Sequence, residues 1–405
     1  MHVLYVHQNF PAQFGHIAAY LTREKGWQCT FVSQTEPGTV AGMRKVRYEP
    51  RGGATAQTHY FARTFENAIG HAHGAYEALK PLREEIRPDL IVAHSGFGST
   101  LFLPELFPDT PIVNHFEYYY RPHGSDLDFR PDWPPDERDV LRARARNAMI
   151  LLDLEQATAG YSPTRFQQEL LPSAYRSKVR VIHDGVDTAF WGERQVDDRV
   201  RTALRLPPDA RVVTYVSRGL EAMRGFDIFM QVAKQVYENL DGVVFLVVGT
   251  ERVAYGGDLH RIEEPSFKEH VLRRDAYDLE RIRFLGAVPP DVLAQILSLS
   301  ELHVYLTVPF VLSWSLLNAM ACGRVILASD TAPVREVIRD GENGVLRDFF
   351  DVEGLAAAAI DVLKDPGAFR QLGAAARHTV NERYALDVVI PQMIEMYEDA
   401  LGRGD

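Results

Sequence analysis

Short runs of apolar residues alternate along this chain with longer stretches whose apolar positions recur at helical spacing. Residues 3–6, 29–32, 90–93, 112–114 and 179–182 are expected as strands in the first half. Several are apolar without a break, the pattern of strands covered on both faces. The rhythm then restarts: 212–216, 243–248, 282–285, 302–306 and 325–328 read as a second set, separated by amphipathic stretches such as 226–240 and 290–299. Such alternation implies βαβ units, hence an α/β protein with two doubly wound parallel sheets joined near the polar run 191–201. Ligands of these sheets bind beyond the carboxyl ends of the strands, so a cleft between the two domains is the expected site.

A length of 405 residues agrees with two domains, since a single core stops growing well before that size. The composition, 46% hydrophobic and 24% charged, is that of an ordinary globular chain. A formal charge of −11 and a pI near 5.7 argue against nucleic acid or an anionic membrane surface as a partner. Any phosphate must therefore be gripped by a few placed cations. No apolar run approaches the roughly 20 residues of a spanning helix. The opening residues lack a basic stretch followed by an apolar one, so a cytoplasmic location is expected. Cys29 and Cys322 form no CxxC pattern and are expected as reduced packing thiols. The proline-rich segment 121–138 reads as an ordered loop beside the cleft, and 250–278 as a polar insertion whose role is not legible.

Four segments carry candidate chemistry. The first runs from Thr307 through Pro309, Phe310, Val311, Leu312, Ser313, Trp314 and Asn318 to Gly323: a loop that enters a helix start built of small residues, a place where backbone amides meet anions. The second is Ser217-Arg218-Gly219 with Arg224-Gly225, two guanidinium groups at a strand-to-helix junction, suited to forking the oxygens of a diphosphate. The third is Asn114-His115 at a strand end, followed by Glu117. The fourth is the turn His183-Asp184-Gly185-Val186-Asp187.

In this order and spacing the segments resemble the retaining glycosyltransferases of family 4, which have the GT-B fold, and the loop 309–314 resembles that of a bacterial subgroup. The resemblance implies an N-terminal acceptor-side domain over 1–191, a nucleotide-sugar domain over 192–380, and a final helix over 381–405 that crosses back to the first domain. It implies catalytic roles for His115, beside the donor sugar, and for Arg218 and Arg224, on the diphosphate. It further implies donor contacts from Val288, Val311, Leu312, Ser313, Trp314 and Asn318, and an acceptor side formed by Gln13, Phe14, Gly15, His16 and Glu117.

The family's Glu-x7-Glu pair, however, falls on Phe310 and Asn318, so neither acid is present. Sequence patterns of serine-hydrolase elbows, Walker loops, zinc peptidases and Cys/His metal sites are missing, and no cofactor or metal is expected. The expected function is metal-independent transfer of a sugar, with retention, from a nucleotide-diphosphate donor to a glycan, a lipid-linked sugar or a small molecule. The rival is a non-catalytic GT-B partner protein with a degenerate donor site. Epimerisation of a nucleotide sugar is a third class, with Glu117 as its sole candidate acid.

Overall fold

The computed structural model describes residues 1–35, 38–196 and 198–402. Position 197 of the polar run, and 403–405 of the expected final helix, lie outside the described residues. The chain divides into two compact units: Met1–Gly185 with the segment from Leu386 onward, and Val186–Ala385.

The first unit is built on a parallel sheet of seven strands: β1 (His2–Val6), β2 (Gln28–Ser33), β3 (Met43–Arg47), β4 (Leu90–His94), β5 (Ile112–His115), β6 (Ala159–Ser162) and β7 (Val179–Val181), in the order β3-β2-β1-β4-β5-β6-β7. Successive residues of β1 serve opposite faces, as the pleat requires. Val3 and Tyr5 join Phe14, Phe31 and the buried side of helix Leu386–Gly402; Leu4 and Val6 join Val32, Val46 and the helix Arg63–Leu79. The final helix gives Val389, Ile390, Met393, Ile394, Met396, Tyr397 and Ala400 to this unit's core.

The second unit repeats the plan with β8 (Arg211–Gly219), β9 (Val243–Thr250), β10 (Ile282–Gly286), β11 (Leu302–Tyr305), β12 (Val325–Ser329) and β13 (Val345–Arg347), in the order β10-β9-β8-β11-β12-β13. In both sheets the chain order reverses beside the first strand of the unit, the switch point at which doubly wound sheets take ligands. Gly225 has φ +61°, and a Cβ there would lie 2.8 Å from Leu306 Cβ and 3.0 Å from the Phe349 ring. Only glycine lets helix Phe226–Asn239 start so close to the sheet. The polar insertion 250–278 contains a helix of its own, Phe267–Arg274, capped by the Ser266 hydroxyl. Among the described residues no helix is long and apolar enough to cross a membrane.

Candidate functional site

In the second unit the site is organised around Arg224. This guanidinium is only 4% exposed. Its Nη1 donates to Thr307 Oγ1 at 2.8 Å and to the Val311 carbonyl at 2.9 Å, and lies 3.4 Å from the Tyr305 hydroxyl. Tyr255 and Phe310 present their rings at 5.2 and 5.6 Å from it. All these partners are neutral, and among the described residues no carboxylate forms an ion pair with it. Nε and Nη2 make no hydrogen bond to any described residue. Burial works against the charge, but the nearby tyrosines and Glu221 outweigh it and hold the group above its ordinary value. The result is a buried cation with three of its five N–H donors unspent, an arrangement that calls for an anion.

Arg218 is placed differently. The pairing of β8 with β9 shifts register between Val216 and Gly219, and Arg218 emerges exposed, its carbonyl held by Thr250 Oγ1 at 2.9 Å. Helix Trp314–Ala321 is capped by Ser313, whose side chain accepts from the Ser315 amide. The Ser313 amide is spent on the Tyr305 hydroxyl at 2.8 Å, and so is not offered to a ligand. Those of Val311 and Leu312 have no partner among the described residues. Trp314, at the first helical position, is 49% exposed. Asn318 is buried one turn further on, and Val288 is half-buried against the cluster that holds Val212, Val244, Leu246, Val248 and Ile296.

The first unit holds a titratable cluster that sequence reasoning found only in part. Its strands β1, β4 and β5 are neighbours in the sheet, and each runs into a histidine at its carboxyl end: His7, His94 and His115. His115 pairs in register with His94, and their rings meet edge to face at 4.9 Å; His7 and His94 meet at 5.2 Å. His115 is completely buried, with neither ring nitrogen hydrogen-bonded and Nε2 3.7 Å from Asp184. Burial, then repulsion from His94, drives it well below its ordinary value, so it is neutral. His94 was missed, although the signal existed: a histidine directly after the apolar run 90–93, as His115 follows 112–114. Its Nε2 lies 3.5 Å from Glu117 Oε2, while Nδ1 sits 2.8 Å from the Ser95 carbonyl. Burial opposes the imidazolium, yet the bond and attraction to Glu117 prevail and raise His94. Glu117 is reciprocally lowered.

His94 and Glu117 line a cavity of about 510 Å³ within this unit, together with Gln8, His71, Phe97, Tyr118, Tyr120 and Arg146. One wall, the segment from Ser95 to Thr100, is fixed by buried Asp153, which accepts from Ser95 Oγ at 2.8 Å, Gly96 N at 2.7 Å and Thr100 Oγ1 at 3.2 Å. Neither His115 nor the segment 13–16 lines this cavity.

One expected contact is corrected. Phe14 is not on a ligand surface: it is fully buried, packed with Tyr5 and Phe31, because the loop after β1 folds its aromatic residues under the sheet. The Leu312 side chain packs into the apolar cluster that holds Leu316 and Tyr305, so the contact expected of this residue is left to its backbone amide. Gly15 opens the helix Gly15–Glu24 at a place where a Cβ would meet Pro11 Cγ at 2.8 Å. Gln13 is half-buried and His16 exposed. No group of residues able to hold a metal ion is present among the described residues.

Comparison with known proteins gives a consistent picture. Residues 25–191 match the family model described as glycosyl transferase family 4 group, and 196–379 match that of glycosyl transferases group 1. N-acetyl-alpha-D-glucosaminyl L-malate synthase of Bacillus anthracis is 26% identical over 55% of this chain and 54% of its own length. D-inositol 3-phosphate glycosyltransferase of Acidothermus cellulolyticus is 31% identical over 57% of this chain and 50% of its own. The chain spans about half the length of the curated relatives it matches. Among solved structures, sucrose-phosphate synthase from Thermosynechococcus elongatus superposes with a TM-score of 0.74 at 19% identity, covering 100% of both chains. Anabaena HepE in complex with UDP and glucose does so at 0.70 and 16% identity, over 98% of this chain and 100% of that one. These two share the fold.

Proposed function

The chain belongs to the group 1 glycosyltransferases of family 4, and from that premise we propose that it transfers a sugar from a nucleoside diphosphate donor to an acceptor with retention of configuration and without a metal. The observation that carries this reading is Arg224, a buried guanidinium with neutral partners and unspent donors next to the unpartnered amides of Val311 and Leu312. A diphosphate supplies acceptor oxygens for the N–H groups that Arg224 leaves unspent. As the bond between the anomeric carbon and the diphosphate breaks, the leaving oxygen gains charge, and preorganised donors that meet it lower the barrier more than any that bind ground state and transition state alike. On the front-face route the acceptor oxygen takes the anomeric carbon from the side the diphosphate leaves, and its proton passes to the departing phosphate oxygen. The solved complexes of HepE with UDP and glucose, in a protein of the same fold, support a nucleotide-sugar donor. The cavity beside His94 and Glu117 is the acceptor pocket in this reading, and the protein works in the cytoplasm.

A thermal-shift screen across UDP, GDP, ADP, dTDP and their common sugars tests the donor, because a ligand that binds only the folded state raises the melting temperature. Nuclear magnetic resonance of the product then reports its anomeric configuration. A second reading is favoured by one observation, the replacement of both family acids by Phe310 and Asn318: a binding protein that holds a nucleotide without turning it over. A chain that is stabilised by a diphosphate yet shows neither transfer nor donor hydrolysis supports that reading instead.

Asn318 offers a direct check. A carboxylate at this position makes a bond to a ribose hydroxyl roughly twice as strong as an amide does, so Asn318→Glu is expected to tighten donor binding by about 1 kcal/mol, near fivefold. Because the position is buried, the same change should lower the melting temperature without ligand. Titration calorimetry and melting curves read both effects; equal or weaker binding places Asn318 away from the ribose.

A further inference from the structure

The turn after β9 gives the second unit a wall whose purpose its sequence does not state. Glu221 follows β8 and is 0% exposed. Its Oε2 accepts from three successive amides, those of Ala254 and Tyr255 at 2.9 Å and of Gly256 at 3.2 Å, while Oε1 has no hydrogen-bond partner. The turn approaches β8 so closely that a Cβ on Gly219 would lie 2.2 Å from the Arg252 carbonyl. Gathering amides on one carboxylate oxygen fixes where Tyr255 points. Its ring lies 5.5 Å from that of Phe310 and 5.2 Å from the Arg224 guanidinium.

A buried carboxylate near a buried guanidinium would ordinarily pair with it. Here Glu221 is spent on amides, so it contributes countercharge to Arg224 without consuming its N–H groups. We infer that Glu221 is a positioning residue of the nucleotide site: it locks Tyr255 as an aromatic wall that, with Phe310, fixes the face of Arg224 while its unspent donors stay open to a diphosphate. The inference rests on the donor reading of Arg224, and goes beyond it by assigning the turn at 254–256 and the aromatic at 310 a shared task.

Calorimetric titration of wild type with UDP, GDP, ADP and dTDP identifies the probe. With it, Tyr255→Ala is expected to weaken binding about tenfold, the scale of one ring–cation contact with its packing. Tyr255→Phe should restore wild-type affinity, because the ring and not the hydroxyl makes the contact. Glu221→Gln keeps an acceptor oxygen for the amides and is expected within about threefold of wild type, against about tenfold for Glu221→Ala. The double variant Glu221→Ala with Tyr255→Ala should bind no more weakly than either alone, since one residue acts through the other. Multiplying losses, or unchanged affinity in a folded Tyr255→Ala, overturn the inference and leave the donor site standing. If Glu221→Ala does not fold, the comparison of Tyr255→Ala with Tyr255→Phe decides. Failure of wild type to bind any of the four diphosphates overturns the donor reading, and this inference with it.

Discussion

Arg224→Ala is expected to lower kcat/KM for sugar transfer by a factor on the order of 10² or more, the usual cost of removing a preorganised charge from a leaving group. The loss has two parts that can be separated. Nη1 holds Thr307 and the Val311 carbonyl, so alanine also frees the loop that carries the amides of Val311 and Leu312. Arg224→Lys keeps the charge but not the planar fork, and is expected to fall between wild type and alanine. Arg218, by contrast, is exposed, and a solvated cation loses much of its attraction to water and salt. Arg218→Ala should therefore cost about tenfold, less than Arg224→Ala. Steady-state kinetics with the donor found by thermal shift, with melting curves alongside, measure all three. Unchanged kinetics in a folded Arg224→Ala would remove this residue from the diphosphate site and return it to a purely architectural role.

Acidification should unfold the first unit before the second. His7, His115 and His183 in the first unit, and His303 in the second, are all buried and neutral. Burial lowers His7 and His303 to about 3 and His183 to about 4, and pushes His115 well below its ordinary 6.5. The unfolded chain takes up protons at these positions as the pH falls through 6.5, while the folded chain does not; stability is thus present above that value and drains away below it. Integrated from pH 6.5 to 5, each such histidine costs about 1.5 kcal/mol, hence roughly 5 kcal/mol for the three in the first unit against about 1.5 for the second. His94 has the opposite sign: its contribution is complete below 6.5 and cannot offset the loss in this window. Melting curves at pH 6.5 and 5, with proteolytic fragments identified, should show the first unit's transition moving further. Equal movement of the two would mean that these histidines are charged inside the fold.

Much of the fold was legible because a doubly wound sheet demands strands that are apolar on both faces, and runs such as 90–93 and 243–248 cannot be mistaken for much else. Three strands escaped, each for a physical reason. β3, Met-Arg-Lys-Val-Arg, lies at a sheet edge and buries little beyond Val46. β6, Ala-Gly-Tyr-Ser, carries small residues because Gly160 lies under Phe116, where a Cβ would come within 2.4 Å of the ring. β13 is an edge strand of three residues. At the candidate site Arg224 was legible as a cation at a strand-to-helix junction, but not its burial, which depends on Thr307, Phe310 and Tyr255, distant in sequence, closing around it. The histidine row was legible only one member at a time. A single histidine after a strand means little, and the row appears once the order β1-β4-β5 is known, which no local pattern reveals.

The final helix has a consequence for how the protein is made. Val389, Met393, Met396 and Tyr397 fill the core beside β1 and β2, the first strands to leave the ribosome. The second unit, by contrast, is one uninterrupted stretch, 186–385, inserted into the first. Domains fold as units during synthesis, commonly from the amino end, but here the order is inverted: the later-made unit can finish while the earlier one waits with an open apolar face for its last helix. A nascent chain stalled before residue 386 should therefore carry a folded insert and a chaperone-seeking host.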